Sequence, residues 1–286
     1  MNVRAAYGWT FMAGVLVASL VLGGAAARQA SDRERDGLVG LVHRVVSTTG
    51  GTSVTNTYSR DGILLETVTR NAPPADQPDV GERMERVVYE YDAQGRRQRD
   101  MIDEGDGYRY LSRVYAYDQD GKVLAEASYS MCGTFSSLTL YTYDDAGRVQ
   151  EDLSYRLRSL FKRTHEFDSH GRMTLRRNYK NNGAISSTGY RYDEHGRLAE
   201  ESELRPDGTL ERKVSYRYDW QGNQILEETT NLADSSLNGT RASSYEYDAQ
   251  GNWTARTVQH PVVPRGEETS VEITRRTITY YDHPSK

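Results

Sequence analysis

The chain of 286 residues is poor in cysteine, proline, phenylalanine and tryptophan: it has one Cys, seven Pro, four Phe and three Trp. A single cysteine, Cys132, cannot form an intramolecular disulfide, so secondary structure alone must hold the fold. We interpret Cys132 as an ordinary residue of a loop or sheet. Hydrophobic residues make up only 36% and the mean hydropathy is −0.77, both low for a chain with a deep core. The composition therefore predicts a thin or extended architecture rather than a compact globule.

The chain has no excess of positive charge. Its net charge is −5 and both signs are mixed along the sequence. Without a basic stripe to meet a phosphate backbone, nucleic-acid binding is not expected.

Metal-binding patterns are also missing. The six histidines are scattered, and the chain contains no His-Glu-x-x-His motif, cysteine pair or EF-hand loop. The acidic stretches 103–107 and 118–121 place their aspartates where turns favour them. We therefore predict no metal and no cofactor.

The N-terminus differs from the rest of the chain. Arg4 precedes an uncharged stretch at 11–24, and three alanines at 25–27 supply small residues before Arg28. This order is typical of a secretory signal peptide over 1–27, with an uncleaved anchor as the alternative. The mature protein is then exported to the periplasm, cell surface or medium without a membrane span. The charged segment 28–37 is expected to be mobile.

One motif, Tyr-x-Tyr-Asp-x-x-Gly, recurs through most of the chain. Its glycines are spaced by 26, 26, 24, 25, 26 and 29 residues, which indicates a repeat architecture. The turn residues are Asp92 and Gly95, Asp118 and Gly121, Asp144 and Gly147, Asp168 and Gly171, Asp193 and Gly196, Asp219 and Gly222, and Asp248 and Gly251. In one copy, His165 and Phe167 replace the tyrosines.

Each motif position has a structural explanation. Tyrosines two residues apart project from the same face of a strand. The aspartate then starts a tight turn by bonding backbone groups ahead of it, and the glycine supplies the positive φ that such a turn needs. The return strand alternates: in "GKVLAEASY" we predict Val123 and Ala125 on one face and Glu126 on the other.

These units predict an all-β fold, an antiparallel meander of repeats about 26 residues long. We expect about sixteen strands and no helix beyond the signal peptide. Residues 38–70 form N-terminal strands with a degenerate repeat at 57–62, residues 71–82 form a Pro/Asp-rich linker, and residues 83–286 form the array.

The motif Tyr-x-Tyr-Asp-x-x-Gly, often followed by Arg, resembles the YD repeat of the Rhs and teneurin family. The resemblance covers residues 83–282. Larger members build a β-sheet shell around a cargo, often a C-terminal toxin, which an Asp-Pro-containing segment releases. This chain has no Asp-Pro dipeptide and stops within a repeat, so toxin delivery and self-cleavage are not expected. The resemblance implies a short secreted member that forms an extended curved sheet or a partial shell.

No enzyme signature is present. The chain lacks a Gly-x-Ser-x-Gly motif and a phosphate-binding glycine loop. The prominent aspartates are repeated, and a repeated residue performs a repeated structural role. We therefore predict a protein that is not an enzyme, with a carboxylate-dependent hydrolase as an alternative.

The tyrosine-bearing face is the remaining candidate for function. Rows of tyrosine stabilise neighbouring strands, but they also suit stacking on sugars. The candidate ligand face comprises Tyr89, Tyr91, Tyr115, Tyr117, Tyr141, Tyr143, Tyr190, Tyr192, Tyr216, Tyr218, Trp220, Tyr245, Tyr247 and Trp253.

We expect an exported, non-enzymatic scaffold that binds a protein or glycan over this face, with oligomerisation by edge pairing as a further possibility. An alternative is a partial Rhs-like shell that encloses or presents a separately encoded partner, as a toxin-system component. A membrane-spanning barrel is disfavoured, because we expect Arg, Glu, Gln and Ser throughout the face opposite the tyrosines.

Overall fold

A computed structural model describes residues 31–74, 76, 79, 81–105, 108–156, 158–260 and 270–282. The predicted signal peptide, 1–27, lies outside these residues. Among the described residues, no helix is long and apolar enough to cross a membrane.

The described chain is built from strands joined by short turns. The strands are β1 (Val42–Thr49), β2 (Thr52–Tyr58), β3 (Leu64–Asn71), β4 (Arg83–Tyr91), β5 (Arg97–Asp103), β6 (Arg109–Tyr117), β7 (Val123–Tyr129), β8 (Phe135–Tyr143), β9 (Val149–Arg156), β10 (Ser159–Phe167), β11 (Met173–Lys180), β12 (Gly183–Tyr192), β13 (Leu198–Leu204), β14 (Leu210–Tyr218), β15 (Gln224–Asn231), β16 (Gly239–Tyr247), β17 (Trp253–Gln259) and β18 (Val271–Tyr280). The all-β prediction is confirmed. A four-residue α-helix, α1 (Asp32–Arg35), and a 3-10 helix, Ser235–Leu237, are the exceptions to the expectation of no helix.

The sheet closes on itself. Every strand pairs antiparallel with its neighbours in the sequence, and β1 also pairs with β18, with Val45 opposite Ile278. The molecule is thus a closed barrel of eighteen strands, and the predictions of an open curved sheet and about sixteen strands are wrong. β1 and β18 lie outside the repeats that were counted, so the count left out the two strands whose pairing closes the sheet. Closure satisfies edge N–H and C=O groups that an open sheet would expose.

Each repeat hairpin contains a bulge at its turn. In the first full copy, Glu90 faces Arg99 but Tyr91 faces Arg97, and Gly95 has a φ of 75°. The same shift places Val123 opposite Tyr117 and Glu126 opposite Tyr115. The predicted simple alternation is therefore wrong, because the extra residue puts Val123 and Glu126 on the tyrosine face together.

The tyrosine face is the inner, concave face of the barrel. Along β18, Arg276, Ile278 and Tyr280 are partly buried, whereas Arg275 and Thr277 are exposed. Side chains converge on the inside of a closed sheet and diverge on the outside, which explains the difference. We call the space bounded by this face the lumen.

The outer face carries both apolar and polar side chains. The expectation from the sequence that this face is polar throughout is wrong. Leu140 and Ile273 are 39% and 42% exposed there. The same face carries ion pairs, such as Arg177 with Glu166 and Arg217 with Glu228. The bulge explains the error, because it moves apolar return-strand residues such as Ala125 to the outside.

The buried apolar core is small and lies where the barrel closes. Leu38, Val42, Val45 and Tyr58 form it, and Leu64, Ile278 and Tyr280 pack against it. Leu38 directly follows the charged stretch 28–37, which is predicted to be mobile. The described part of this stretch begins with α1, which Ser31 and Glu34 cap reciprocally.

Candidate functional site: the tyrosine-lined lumen

The Asp-x-x-Gly turns all follow even-numbered strands, so they lie at one end of the barrel, which we call the turn rim. In the third full copy, Oδ1 of Asp144 accepts the Arg148 backbone N–H at 2.9 Å, and Oδ2 accepts the Arg148 Nε–H at 2.7 Å. The guanidinium of Arg148 thereby lowers the pKa of Asp144, against the opposing effect of burial. The aspartate and the residue after glycine therefore form one unit.

The residue after glycine also contacts the next repeat. The guanidinium carbon of Arg96 lies 4.7 Å from the ring centre of Tyr117, and that of Arg148 lies 4.5 Å from the ring of Phe167. The same contact joins Lys122 to Tyr143, Arg172 to Tyr192 and Arg197 to Tyr218. A cation over an aromatic face is attracted by the ring quadrupole. This explains why a basic residue recurs after the turn glycine.

The hydroxyl of the second tyrosine completes the link between repeats. Tyr143 donates to the carbonyl oxygen of Val123 at 2.7 Å, and Tyr218 donates to that of Leu198 at 2.7 Å. Each acceptor follows a turn glycine of the preceding repeat by two positions. We call this arrangement of aspartate, basic residue, carbonyl and second tyrosine the inter-repeat joint. Joint tyrosines are Tyr117, Tyr143, Tyr192 and Tyr218. Tyr91 bonds the carbonyl of Leu64 in the same way, but Ile63 takes the place of the basic residue there.

Joints of two other kinds occur where the sequence departs from the motif: Asn223 and Asn252 belong to the first kind and Phe167 to the second. Asn223 follows a turn glycine in place of a basic residue, and it donates to the hydroxyl of Tyr247 at 2.7 Å. That hydroxyl donates to Asp219 at 2.7 Å, and Tyr245 takes over the carbonyl of Gln224 at 3.0 Å. The asparagine is too short to cover the ring, so the hydroxyl bonds the turn directly.

In the other variant, Phe167 lacks the hydroxyl that would bond the carbonyl of Val149. His165, at the first tyrosine position, lies with Nδ1 3.1 Å from this carbonyl oxygen. Since a carbonyl only accepts, Nδ1 carries the proton. The two substitutions in this copy compensate each other, and their occurrence in one motif was the signal that sequence reasoning did not use.

The first tyrosines belong to a polar network on the lumen face. Tyr89 donates to Thr67 at 2.9 Å and Tyr115 donates to Asp100 at 3.1 Å. The guanidinium of Arg97 lies 3.9 Å above the Tyr89 ring and pairs with Asp100 at 2.5 Å. Burial raises the pKa of Tyr115 to about 12, which keeps its hydroxyl protonated. The predicted tyrosine face is thus assembled, but inside the barrel and with many hydroxyls engaged.

The two singled-out tryptophans lie in different surroundings. Trp220 is 88% exposed at the tip of a rim turn. Trp253 lies on the lumen face beneath the guanidinium of Arg276, whose carbon is 3.4 Å from the ring centre. Of these two tryptophans, Trp220 is the one with an uncovered ring outside the lumen.

The described residues contain no group of three or more His, Cys, Asp or Glu side chains placed to hold a metal ion. Cys132 is exposed and is not part of the lumen face. The chemistry that the described lumen offers is hydrogen bonding, cation contacts and aromatic stacking.

No protein-family model and no curated protein sequence matches this chain. Among solved structures, a porin-like protein from Bacteroides uniformis is similar at a TM-score of 0.48 and 11% identity, over 83% of this chain and 98% of that one. A porin-like protein from Bacteroides vulgatus is similar at 0.37 and 12%, over 84% and 98%. A Tc holotoxin pore from Photorhabdus luminescens is similar at 0.32 and 13%, and the match covers 76% of this chain but 14% of that one. Likeness at this level assigns the chain to no family.

Proposed function

We propose that the protein is an exported, non-enzymatic scaffold of the YD-repeat type that binds a glycan in its lumen. The observation that carries the proposal is closure: the barrel gathers the tyrosines, arginines and polar residues of every repeat around one enclosed space. Sugars combine hydroxyl groups with apolar ring faces, and tyrosine rings flanked by polar groups complement both.

The size of the barrel supports a chain-like ligand. Eighteen strands spaced by about 4.8 Å give a circumference of roughly 86 Å and a backbone diameter of about 27 Å before tilt widens it. A folded domain of about 100 residues has a radius of gyration of about 13 Å and would not fit once side chains line the wall. An oligosaccharide or an extended peptide is narrow enough to fit in the lumen.

Water reaches the lumen wall, as ligand entry requires. The side chains of Arg113 and Arg163, both on the lumen face, are 50% and 47% exposed. Rings between them remain only partly buried, including Tyr141. Tyr141 is a useful probe, because it makes no hydrogen bond to the described residues and its ring is free of joint contacts.

The ion pairs of the outer face support the proposal that this face is exposed to water. Its ion pairs include Arg191 with Glu200 at 3.1 Å and Lys162 with Glu151 at 3.6 Å. Charged pairs at this density interrupt any continuous apolar band. Export follows from the N-terminal sequence, 1–27.

The proposal is tested by a glycan array followed by calorimetric titration of the best ligand. Tyr141→Ala should weaken binding at least tenfold, the loss of roughly one stacked ring. Thr142→Ala, the neighbouring change on the outer face, should leave affinity unchanged. A clean array at high protein concentration, or equal affinities for both variants, would contradict lumen binding.

A second candidate is a shell that holds a segment of a separately encoded partner. It is favoured by the N-terminal segment, which already packs a polypeptide against the lumen side: Asp32 bonds the Leu64 N–H at 2.8 Å, and Val39 bonds Asn252. Purification from the native host should then yield a stoichiometric second polypeptide, whereas an isolated monomer would count against this candidate.

A further inference from the structure

Two arginines on neighbouring strands of the lumen face lie close to each other without a carboxylate partner among the described residues. Arg256 in β17 faces Thr274 across the ladder, and Arg276 lies two residues further along β18 on the same face. Some other lumen arginines are neutralised at close range, such as Arg97 by Asp100 at 2.5 Å and Arg163 by Asp152 at 2.7 Å, but among the described residues Arg176 has no carboxylate within 4.0 Å either. Within the described part of the chain, neither Arg256 nor Arg276 has a carboxylate oxygen within 4.0 Å.

The closest source of negative charge is already engaged. Asp36 influences Arg276 electrostatically, but its carboxylate accepts the hydroxyl hydrogen of Tyr58. Burial lowers the pKa of Arg276 to about 10, and the nearby charge of Arg256 acts in the same direction. The guanidinium of Arg276 is therefore positively charged at neutral pH, and no nearby carboxylate of the described chain pairs with it directly.

Both guanidinium groups can receive a ligand from the lumen. The Nε atoms of both arginines are buried without a hydrogen-bond partner in the described part of the chain. The terminal nitrogens of Arg276 are accessible and form no hydrogen bond to the described residues. One terminal nitrogen of Arg256 lies 3.5 Å from the Ser243 hydroxyl. The ring of Trp253 lies below Arg276 and that of Tyr245 near Arg256, at 5.9 Å. A planar anion could thus accept hydrogen bonds from both guanidinium groups, next to the two aromatic rings.

We infer that this pair is an anion subsite of the lumen, selecting glycans that carry carboxylate groups. The inference rests on the proposed function and specifies its substrate class as acidic saccharides. A uronic acid would place its carboxylate between the two guanidinium groups, while its ring meets the tyrosines of the wall. Two partly buried arginines without counter-ions cost stability, and an incoming carboxylate would remove that cost.

The test compares oligogalacturonate with its fully methyl-esterified form, which is uncharged but similar in shape. The wild-type protein should bind the acid at least about tenfold more tightly, the effect expected for charge-assisted hydrogen bonds. The double variant Arg256→Gln with Arg276→Gln should lose this preference. Arg275→Gln, one residue away on the outer face, removes a positive charge outside the lumen and should keep it. Circular dichroism and thermal unfolding verify that each variant is folded.

A second variant tests the subsite without removing an arginine. Asp36→Asn retains an acceptor for Tyr58 but removes the nearest negative charge, so it should bind oligogalacturonate several-fold more tightly. Equal wild-type affinity for the two oligomers, or a preference that survives the double variant, would overturn the inference while leaving neutral glycan binding intact. Loss of all glycan binding on the array would instead contradict the proposed function.

Discussion

The side chain of Asn252 bonds both backbone groups of Val39, a residue 213 positions away. Its Nδ2 donates to the Val39 carbonyl at 2.8 Å, and its Oδ1 accepts the Val39 N–H at 2.7 Å. The same Nδ2 donates to the hydroxyl of Tyr280 at 2.7 Å, and Asn252 is 2% exposed. One buried amide thus connects the last rim turn, the last strand and the N-terminal segment.

Asn252→Ala should lower the free energy of unfolding by about 2–3 kcal/mol, because it leaves enclosed polar groups of Val39 without partners. Asn223→Ala is the matched control. Asn223 holds the same repeat position but bonds only within its own joint, to Tyr247 and Asp219. Urea denaturation gives the free energies, and amide exchange at Val39 should accelerate in the first variant only. Equal losses in both variants would show that Asn252 has no special role in closure.

Tyr143→Phe removes one joint hydrogen bond while keeping the ring beneath Lys122. We expect a loss of about 1 kcal/mol, the usual contribution of such a bond. Tyr141→Phe, two residues earlier on the same face, deletes a hydroxyl that bonds no described residue and should be nearly neutral. Urea unfolding of the two variants gives both free energies. A larger loss of stability for Tyr141→Phe than for Tyr143→Phe would contradict the stabilising role of the joint hydrogen bond.

Much of the wall could be read from the sequence, because its signals are local. Tyr-x-Tyr and Asp-x-x-Gly specify a strand face and a turn, and the structure builds both, for example at Tyr89 and Asp92. Closure could not be read this way, since it depends on the pairing of β1 with β18, which lie at opposite ends of the described chain. The motif carries no information about that pairing.

The joint and the subsite were also hidden from the sequence, for different physical reasons. The basic residue after glycine was visible, but its contact with a tyrosine one repeat later required the three-dimensional register. Arg256 and Arg276 belong to no motif at all. What distinguishes them is that they lie near each other without a close carboxylate among the described residues, which only the folded chain reveals.

His165→Tyr restores the motif and should make the protein less sensitive to mild acid. Burial lowers the pKa of His165 below its ordinary value, so the unfolded chain binds a proton that the folded chain resists. The stability from neutral His165 is therefore present above about pH 6.5 and is lost as the pH falls below it. The tyrosine should bond the Val149 carbonyl as Tyr245 bonds that of Gln224.

The measurement for this change is urea unfolding of both proteins at about pH 7.5 and about pH 5.5. The stability of the variant relative to the wild type should increase as the pH falls. A constant difference would contradict the role assigned to His165.

The rim turns should make the barrel labile at low pH. The pKa of Asp144 is lowered by its hydrogen bond from Arg148, so this stabilisation is present above about pH 4 and is lost as the pH falls through the lowered value. Asp144→Asn should therefore be less stable than the wild type at neutral pH, and the difference should shrink near pH 3, as unfolding in urea would show. Asp145→Asn, one residue later, removes a carboxylate that makes no hydrogen bond to the described residues and should leave the stability at neutral pH nearly unchanged.

Removal of β18 should convert the closed barrel into an open sheet that associates through its edges. A chain that ends at residue 269 loses the ladder partners of β1 and β17, and it also loses Ile278 and Tyr280 from the apolar cluster. Two exposed edges present unpaired N–H and C=O groups that recruit other copies. Light scattering after size-exclusion chromatography should find oligomers for this chain, whereas a chain that ends at residue 282 retains β18 and should match the full-length protein. A shortened chain with the mass of a single copy would show that the wall does not depend on the β1–β18 pairing.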